Sequence, residues 1–227
     1  NETGAINPIK ECAAYVHAYS RAVFHMDGVQ GLGKIPISLH DVDMATFSAH
    51  KIYGLKGSAI LYKKRNIELL PLLSGGQQEQ GLRAGTSNAP TNIVFAKTLR
   101  LALEEQEKAY QYVQELNIYL RREIENIEDM VINSPADASC FILNFSDLKI
   151  GSEVMLNALN AKGFCVSAQS TCSSKSKAIS HVLLAMGLGE VRATHAIRVS
   201  LSHMTTKDEV EKFIKALKEI HHDYRTK

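Results

Sequence analysis

The feature that most constrains the fold of this chain is the alternation of short apolar runs with longer stretches of helical periodicity. The apolar runs predict strands, and they lie at residues 22–26, 43–47, 58–62, 139–145, 164–167 and 196–201. Helical patterns lie before and between them, at residues 8–20, 89–128, 151–162 and 178–186. Strands that alternate with helices in this way indicate an α/β fold.

The longest helical pattern separates two α/β regions of the chain. It runs from Ala89 to about Glu128, and we predict one continuous connecting helix there. We therefore expect two domains, at residues 1–110 and 111–227. Near the end of the chain, Thr206 and Glu209 have the spacing of a capping box, which predicts the start of the last helix.

The charge balance and the cysteines exclude several classes of function. The formal net charge is +2 and the basic residues are dispersed among acidic ones, so nothing favours direct binding of nucleic acid. No apolar run approaches the roughly 20 residues of a membrane-spanning helix. The four cysteines form no C-x-x-C pair, which argues against a zinc knuckle, and no signal peptide opens the chain. We expect free thiols, no metal site and a cytoplasmic location.

The most informative residue is a lysine that follows the second predicted strand. The segment Ser48-Ala49-His50-Lys51 lies where that strand ends, and α/β proteins bind ligands at the carboxyl ends of their strands. An unprotonated lysine amine attacks an aldehyde to form an imine. Ser48 and His50 can bind a phosphate beside it. Taken alone, this pattern is more often a surface lysine after a strand.

A carboxylate follows the first predicted strand, about twenty residues upstream, in His25-Met26-Asp27-Gly28-Val29-Gln30. A carboxylate that faces a pyridine nitrogen keeps this nitrogen protonated, so that the ring acts as an electron sink. Gln30 can hydrogen-bond a ring hydroxyl. Asp27 alone is more commonly a turn or capping residue, but the two motifs together are more specific than either one.

A polar, glycine-rich segment from Gly76 to Thr86 is the third feature. Its glycines permit a close approach of the backbone, and Arg83 and Thr86 can bind an anion. The commoner meaning of such a composition is a flexible polar loop.

Five motifs in a fixed order give the chain a specific resemblance. They are N-E-T-G, H-x-D-x-x-Q, S-x-H-K-x-Y-G-x-K-G, G-G-x-Q-E-x-G-x-R-x-G-T and I-R-x-S-L. The chain resembles cysteine desulfurases, which are fold type I pyridoxal-phosphate enzymes of the class-V aminotransferase group. The resemblance implies that residues 1–110 are the later part of a three-layer αβα cofactor-binding domain, and that residues 111–227 form a small α/β domain.

The resemblance implies roles in cofactor binding for residues of the second and third motifs, H-x-D-x-x-Q and S-x-H-K-x-Y-G-x-K-G. Lys51 would bind pyridoxal 5′-phosphate covalently and move protons on the substrate carbon. Asp27 would pair with the pyridine nitrogen and Gln30 with the ring oxygen, while Ser48 and His50 would hold the phosphate.

Other residues implied by the resemblance concern the substrate and a partner subunit. Thr86 would reach the cofactor phosphate of the partner, which implies a homodimer. Asn1 and Arg198 would bind the carboxylate of L-cysteine, with Asn1 also near the cofactor and Arg198 in the two-pronged geometry that a guanidinium favours. The plainer interpretation of Arg198 is a strand arginine in a salt bridge.

The residue that receives sulfur would be Cys172. Sulfur transfer needs a thiolate on an exposed loop, and Cys172 lies in the polar stretch Gln169–Lys175, where nearby lysines favour the thiolate. Related loops commonly have glycine where this chain has Gln169. A persulfide on Cys172 would pass to an acceptor protein for iron–sulfur cluster assembly or tRNA thiolation.

The remaining cysteines have other predicted roles. Cys140 and Cys165 lie in apolar strand patterns and are expected in the core, while Cys12 is expected on a helix, either packed or inert.

Two alternatives stay open at the sequence level. The chain can be a selenocysteine lyase or another aminotransferase-like enzyme of the same group. It can also be an inactive fragment that acts as a binding or scaffold module, because the family has a substantial region before N-E-T-G and the first residue here is Asn1 rather than methionine.

Overall fold

The computed structural model describes residues 1–168 and 179–225, with the backbone alone for Arg225. These residues form two compact units. Residues 7–106 are called the Lys51 unit here, and residues 1–6 together with the chain from residue 107 are called the Arg198 unit. The predicted loop with Cys172 lies outside the described residues.

The Lys51 unit contains a three-stranded sheet with the order β1-β2-β3. Strands β1 and β2 are parallel, and β3 is antiparallel to β2. The elements in chain order are α1 (Ile9–Tyr19), β1 (His25–Asp27), β2 (Met44–Ser48), a 3-10 turn (Ala49–Ile52), β3 (Ala59–Lys63), a 3-10 turn (Gln78–Gly81) and α2 (Ala89–Glu104).

Two small apolar clusters form the core of the Lys51 unit. The first consists of Met26, Val42, Ala45 and Phe47, and the second of Ala49, Ile52 and Phe95.

The buried carboxylate of Asp43 joins α1 and the strands of the Lys51 unit. It accepts hydrogen bonds from the backbone N–H of Phe24 (2.9 Å) and from Lys64 Nζ (3.0 Å), and it pairs with His17 Nε2 (2.7 Å). The bond from Phe24, then those from His17 and Lys64, hold the pKa of Asp43 well below its usual range, although burial opposes the shift.

The Arg198 unit contains an antiparallel sheet with the order β4-β5-β6. The elements in chain order are α3 (Gln106–Glu125), β4 (Met130–Ile132), β5 (Ile142–Asp147), α4 (Ser152–Ala161), α5 (His181–Ala185), α6 (Gly189–His195), β6 (Ala196–Ser200) and α7 (Lys207–Arg225).

One large apolar cluster forms the main core of the Arg198 unit. Every residue of β5 is buried, because helices supply side chains to the same core. Val113, Leu116 and Leu120 come from α3, and Phe213 and Leu217 come from α7.

Several predicted boundaries were correct and others were wrong. The capping box is confirmed, since Thr206 N–H donates to Glu209 Oε2 (2.7 Å) and Glu209 N–H donates to Thr206 Oγ1 (3.2 Å). The continuous helix over residues 89–128 was wrong. Glu105 separates α2 from α3. Its backbone stays near-helical (φ −96°, ψ 0°), so the apolar periodicity continues across the break and does not reveal it.

Strand predictions also needed correction. The first strand begins at His25 rather than at residue 22, because the N–H of Phe24 is bonded to the side chain of Asp43. The predicted strand at residues 164–167 is an isolated bridge between Ser167 and Arg198. Strand β4 and helix α6 were not predicted. Among the described residues, no helix is long and apolar enough to cross a membrane.

Candidate functional site

The carboxyl ends of β1 and β2 lie at the same edge of the sheet in the Lys51 unit. The two strands are parallel, and Asp27 is paired with Thr46, two residues before Ser48. Asp27 therefore ends β1 close to the point where β2 passes into the turn that carries Lys51. Open α/β sheets bind their ligands at this kind of edge.

The turn that carries Lys51 is fixed by its neighbours on both sides. Ala49 and Ile52 are buried and pack against Phe95 of α2. The N–H of Ala49 donates to Ser58 O (3.0 Å), and the N–H of Gly54 donates to Ala49 O (2.9 Å). Lys51 is half-buried between these anchors, whereas His50 is exposed. The anchors hold the backbone of the lysine in one place at the sheet edge.

A second constraint follows the turn at Tyr53. This residue has φ 66°, in the left-handed region that side chains other than glycine rarely adopt. Such conformations cost roughly 1–3 kcal/mol each and persist where the surrounding structure imposes them. The path of the chain after Lys51 is therefore imposed by its surroundings rather than by local preference.

The segment after Asp27 turns tightly over β2. Asp27 Oδ1 accepts a hydrogen bond from the N–H of Val29 (3.0 Å), which is the capping arrangement that the plainer interpretation expected. A Cβ at Gly28 would lie 2.3 Å from the ring of Phe47, so only glycine fits there. Gln30 Oε1 accepts from Lys34 Nζ (3.2 Å). Asp27 itself is exposed, so its second oxygen can accept a bond from a ligand.

Thr86 lies exposed on the polar loop of the Lys51 unit. The loop is tied internally, since Gly85 N–H donates to Gln78 Oε1 (3.3 Å) and Ser87 Oγ donates to Glu79 Oε1 (3.3 Å). The predicted flexible loop thus contains a 3-10 turn and its own hydrogen bonds.

In the Arg198 unit, the structure brings Asn1 and Arg198 into direct contact. Arg198 Nη1 donates to Asn1 O (3.1 Å) and to Asn1 Oδ1 (3.2 Å), and Arg198 Nη2 donates to Ser167 Oγ (3.3 Å). Arg198 Nε is buried and has no hydrogen-bond partner among the described residues. Among the described residues, the hydrogen bonds of Arg198 go to neutral groups and not to a carboxylate, unlike the salt bridge of the plainer interpretation.

The electrostatic surroundings of Arg198 favour an anionic ligand. Burial lowers the pKa of the guanidinium, and the negative charge of Glu2 opposes this shift. An arginine remains protonated at any physiological pH. A half-buried cation with a donor that has no partner in the described part of the chain is a natural partner for a carboxylate.

Sequence reasoning missed several residues around Asn1 and Arg198. Asn144, only 1% exposed, donates from Nδ2 to Glu2 O (3.1 Å). Ser180 Oγ donates to Glu2 Oε2 (2.6 Å) and accepts from Leu183 N–H, so that it caps α5. A polar residue inside the apolar run of β5 was the one available signal for Asn144.

The predicted surroundings of the cysteines were partly wrong. Cys140 is buried as expected, and burial raises the pKa of its thiol to about 11. Cys12 and Cys165 are both exposed rather than packed. All three are free thiols. Cys172 and Gln169 lie outside the described residues.

The groups at the edge of the Lys51 unit have the chemistry that pyridoxal phosphate requires. They include a carboxylate for a pyridinium nitrogen, a lysine amine for an aldehyde, and a hydroxyl and an imidazole for a phosphate. Asp27 ends β1 and Ser48 ends β2, while His50 and Lys51 lie in the turn directly after β2. The residues present therefore fit this cofactor.

Comparisons with known proteins agree on one family. The chain is 38% identical to "NifS/IcsS protein homolog" of Lactobacillus delbrueckii over 99% of its length, and this covers 60% of that relative. It is 37% identical to "Cysteine desulfurase IscS" of Dictyoglomus turgidum over 100% of its length and 58% of that relative. The chain thus spans about three fifths of the length of these curated relatives.

Solved structures give the same result for the fold. A NifS-like protein matches with a TM-score of 0.88 at 35% identity, over 96% of this chain and 58% of that one. A NifS-like protein from Rickettsia africae matches with a TM-score of 0.87 at 31% identity, over 97% of this chain and 59% of that one. The predicted α/β class, as part of a pyridoxal-phosphate enzyme fold, is confirmed.

The family model for aminotransferase class-V matches residues 1–213. Enzymes of the class-V aminotransferase and cysteine desulfurase families depend on pyridoxal 5′-phosphate. The chain belongs to the class-V aminotransferase family.

Proposed function

We propose that the protein is a pyridoxal-phosphate-dependent cysteine desulfurase, which converts L-cysteine to L-alanine and leaves a persulfide on Cys172. The observation that carries the proposal is the shared edge of β1 and β2, where Asp27 ends one strand and the rigid turn with Lys51 follows the other. The relatives named cysteine desulfurase, at 37–38% identity, support the same substrate.

The residues of the Lys51 unit would hold the cofactor and manage protons. When bound, pyridoxal phosphate supplies an electron sink for the carbon attached to the substrate nitrogen. Asp27 keeps a proton at the pyridine nitrogen, and Lys51 moves a proton at the substrate α-carbon. Ser48 and His50 bind the phosphate, while Gln30 directs its amide toward the ring oxygen.

The residues of the Arg198 unit would orient the substrate. Arg198 binds the carboxylate of L-cysteine through two parallel N–H bonds, and its Nε has no hydrogen-bond partner within residues 1–168 and 179–225. Asn1, already bonded to Arg198, contributes its side-chain amide to the same carboxylate. This pair selects α-amino acids over amines that lack the carboxylate.

The sulfur step would belong to Cys172. Its thiolate bonds to the substrate sulfur while the Cβ–S bond breaks. The electron pair stays with carbon, which takes up a proton on the way to L-alanine. The persulfide then passes to a protein acceptor for iron–sulfur cluster assembly or tRNA thiolation.

A homodimer and a cytoplasmic location complete the proposal. Thr86 is exposed, as a residue that reaches a partner's phosphate must be, and Leu70 and Leu72 nearby in sequence are 96% and 94% exposed. Contiguous exposed apolar patches mark protein interfaces, and neighbouring exposed leucines are consistent with one. The free thiols of Cys12, Cys140 and Cys165 suit a reducing compartment.

Intact-protein mass spectrometry after addition of pyridoxal phosphate and L-cysteine tests the function. We expect a cofactor adduct that is lost in Lys51→Ala, and a mass increase of one sulfur that is lost in Cys172→Ala. Cys165→Ala is the matched control, because it removes an exposed thiol other than the proposed acceptor and should leave both signals intact. A sulfur adduct that persists in Cys172→Ala would contradict the assignment of the acceptor.

Two further outcomes would separate the alternatives. Turnover of L-selenocysteine without turnover of L-cysteine would identify a selenocysteine lyase. Absence of both adducts, in this chain and in a chain extended to the full length of its relatives, would indicate a non-enzymatic relative.

A further inference from the structure

We propose that Asn144 is a positioning residue for the substrate carboxylate site of Asn1 and Arg198. That this site binds the carboxylate of L-cysteine rests on the proposed function. Asn144 is paired directly with Arg198 across β5 and β6, so the two side chains leave the sheet on the same face. It is 1% exposed.

Arg198 and Asn144 donate hydrogen bonds to two consecutive backbone carbonyl groups, those of Asn1 and Glu2. Arg198 Nη1 donates to Asn1 O (3.1 Å), and Asn144 Nδ2 donates to Glu2 O (3.1 Å). A third bond runs from Ser139 N–H to Gly4 O (2.8 Å). The segment that carries the Asn1 amide therefore lies along the sheet through these three bonds.

A chain of hydrogen bonds fixes the orientation of the Asn144 amide. The guanidinium of Arg192 can only donate, and its Nε donates to Asn133 Oδ1 (2.8 Å). The Nδ2 of Asn133 therefore points to Asn144 Oδ1 (2.7 Å) and to Ser146 Oγ (2.7 Å). With its oxygen occupied as an acceptor, Asn144 must present Nδ2 to the Glu2 carbonyl.

The geometry of Gly4 leaves the segment little freedom to adjust. Its φ is 79°, and a Cβ there would lie 3.1 Å from Ser139 O and 3.2 Å from Ile142 O. The segment thus approaches the backbone of β5 closely. Loss of the Asn144 donor removes the bond to the half-buried Glu2 carbonyl, which favours displacement of the segment. Asn1 then moves relative to Arg198.

The functional consequence is specific. Displacement of Asn1 weakens binding of the substrate carboxylate, while the proton transfers by Lys51 belong to the other unit and are unaffected. A purely structural role for Asn144 predicts lower stability without this selective loss of binding.

The test compares Asn144→Ala and Asn144→Asp with Asn117→Ala. Asn117 is a matched control, because it is also buried in the Arg198 unit (6% exposed) and its Nδ2 also donates to a backbone carbonyl, Cys140 O (2.8 Å). Asn144→Asp keeps the volume of the side chain and removes the N–H donors. If Asn144→Ala fails to fold, the Asp variant decides the outcome.

Two measurements are made on the chain with pyridoxal phosphate present. The first is protection of Arg198 from phenylglyoxal by L-alanine, the proposed product, followed by peptide mass spectrometry. We expect the half-protecting concentration to rise about tenfold in the Asn144 variants, as for a lost hydrogen bond to the site, and to change less than about twofold in Asn117→Ala.

The second measurement is turnover of L-cysteine. We expect KM to rise about tenfold in the Asn144 variants while kcat changes less than about threefold, as for an interaction equal in ground and transition states. Equal shifts in the Asn144 and Asn117 variants, or no shift in the former, would overturn the inference.

The outcomes also separate this inference from the proposed function. If the wild-type chain forms a persulfide but L-alanine does not protect its Arg198 from phenylglyoxal, the inference is overturned and the desulfurase function stands. Protection that the Asn144 variants weaken, in a chain without turnover, would support the inference and refute the proposed function.

Discussion

The two units differ in how they are held together. The Arg198 unit has one large apolar cluster to which α3, β5 and α7 all contribute, whereas the Lys51 unit has two small clusters and the buried ionic network of Asp43. The difference shows that Lys51, the proposed cofactor lysine, lies in the unit with the smaller apolar clusters, where specific polar bonds and tight turns supplement the core.

Strands β3 and β5 show the same contrast at the level of single residues. Both have apolar sequences that predict a buried strand. Every residue of β5 is buried, but Ile60 and Leu61 of β3 are 39% and 48% exposed. An apolar run therefore predicts the strand, while its burial depends on what the rest of the chain packs against it.

The largest effect is expected at the reactive edge of the Lys51 unit. Lys51→Ala should lower the formation of L-alanine from L-cysteine by about a thousandfold or more, because the amine that we propose binds the cofactor and moves the proton is lost. The measurement is amino-acid analysis of the reaction mixture. Lys56→Ala is the control, since Lys56 is an exposed lysine five residues away and should keep wild-type activity. Equal losses in both variants would break the assignment.

The contrast between the cores is sharpened by truncating one leucine in each sheet. Leu143→Ala should lower the free energy of unfolding by about 2–5 kcal/mol, because Leu143 is fully buried in the large cluster. Leu61→Ala should cost less than about 0.5 kcal/mol, as expected for an exposed side chain. Urea denaturation of each variant measures the difference. A large loss in Leu61→Ala would mean that β3 is covered in solution.

Acid should weaken the Lys51 unit through Asp43. Because the folded pKa of Asp43 is depressed, its contribution is present above the unfolded pKa of about 3.9 and is lost as pH falls toward the folded pKa. Asp43→Asn should therefore destabilise the unit by about 2–3 kcal/mol at pH 7 and by clearly less at pH 3. Hydrogen exchange of β2 at both pH values gives the two free energies. A penalty that is independent of pH would exclude the ionic explanation.

The smallest effect is expected at the capping box of α7. Thr206→Ala should destabilise the Arg198 unit by about 1 kcal/mol, because the N–H of Glu209 loses its acceptor. Thermal unfolding followed by circular dichroism measures it. Thr194→Ala is a control, since the described partners of its hydroxyl, Glu190, Val191 and His195, all lie within α6, and its loss should cost less.

The sequence predicted the parts of the molecule that local patterns determine. The strands before Asp27 and Lys51 follow from apolar runs that end in polar residues, and the start of α7 follows from the spacing of Thr206 and Glu209. The break at Glu105 could not be predicted, because the residue has no helix-breaking chemistry and its backbone remains near-helical.

The surroundings of Arg198 required contacts that are distant in sequence. Its bonds reach Asn1 and Ser167, and Asn144 approaches the same segment from the neighbouring strand. No local pattern links these positions, so only the motif order identified Arg198 and nothing identified Asn144. Cys165 was predicted in the core because its neighbours in sequence are apolar. Apolar neighbours do not by themselves bury a side chain, and Cys165 is exposed.

The division of the Arg198 unit between residues 1–6 and the chain from residue 107 has a consequence for cloning. A gene fragment that starts at codon 107 encodes all three strands of this sheet, yet its product lacks the carbonyl groups that Arg198 and Asn144 bind. A hexapeptide with the sequence NETGAI, supplied in trans, would restore those acceptors. The residues of the proposed carboxylate site are thus encoded on both sides of the segment for the Lys51 unit, and a gene fragment must include that segment to encode them all on one chain.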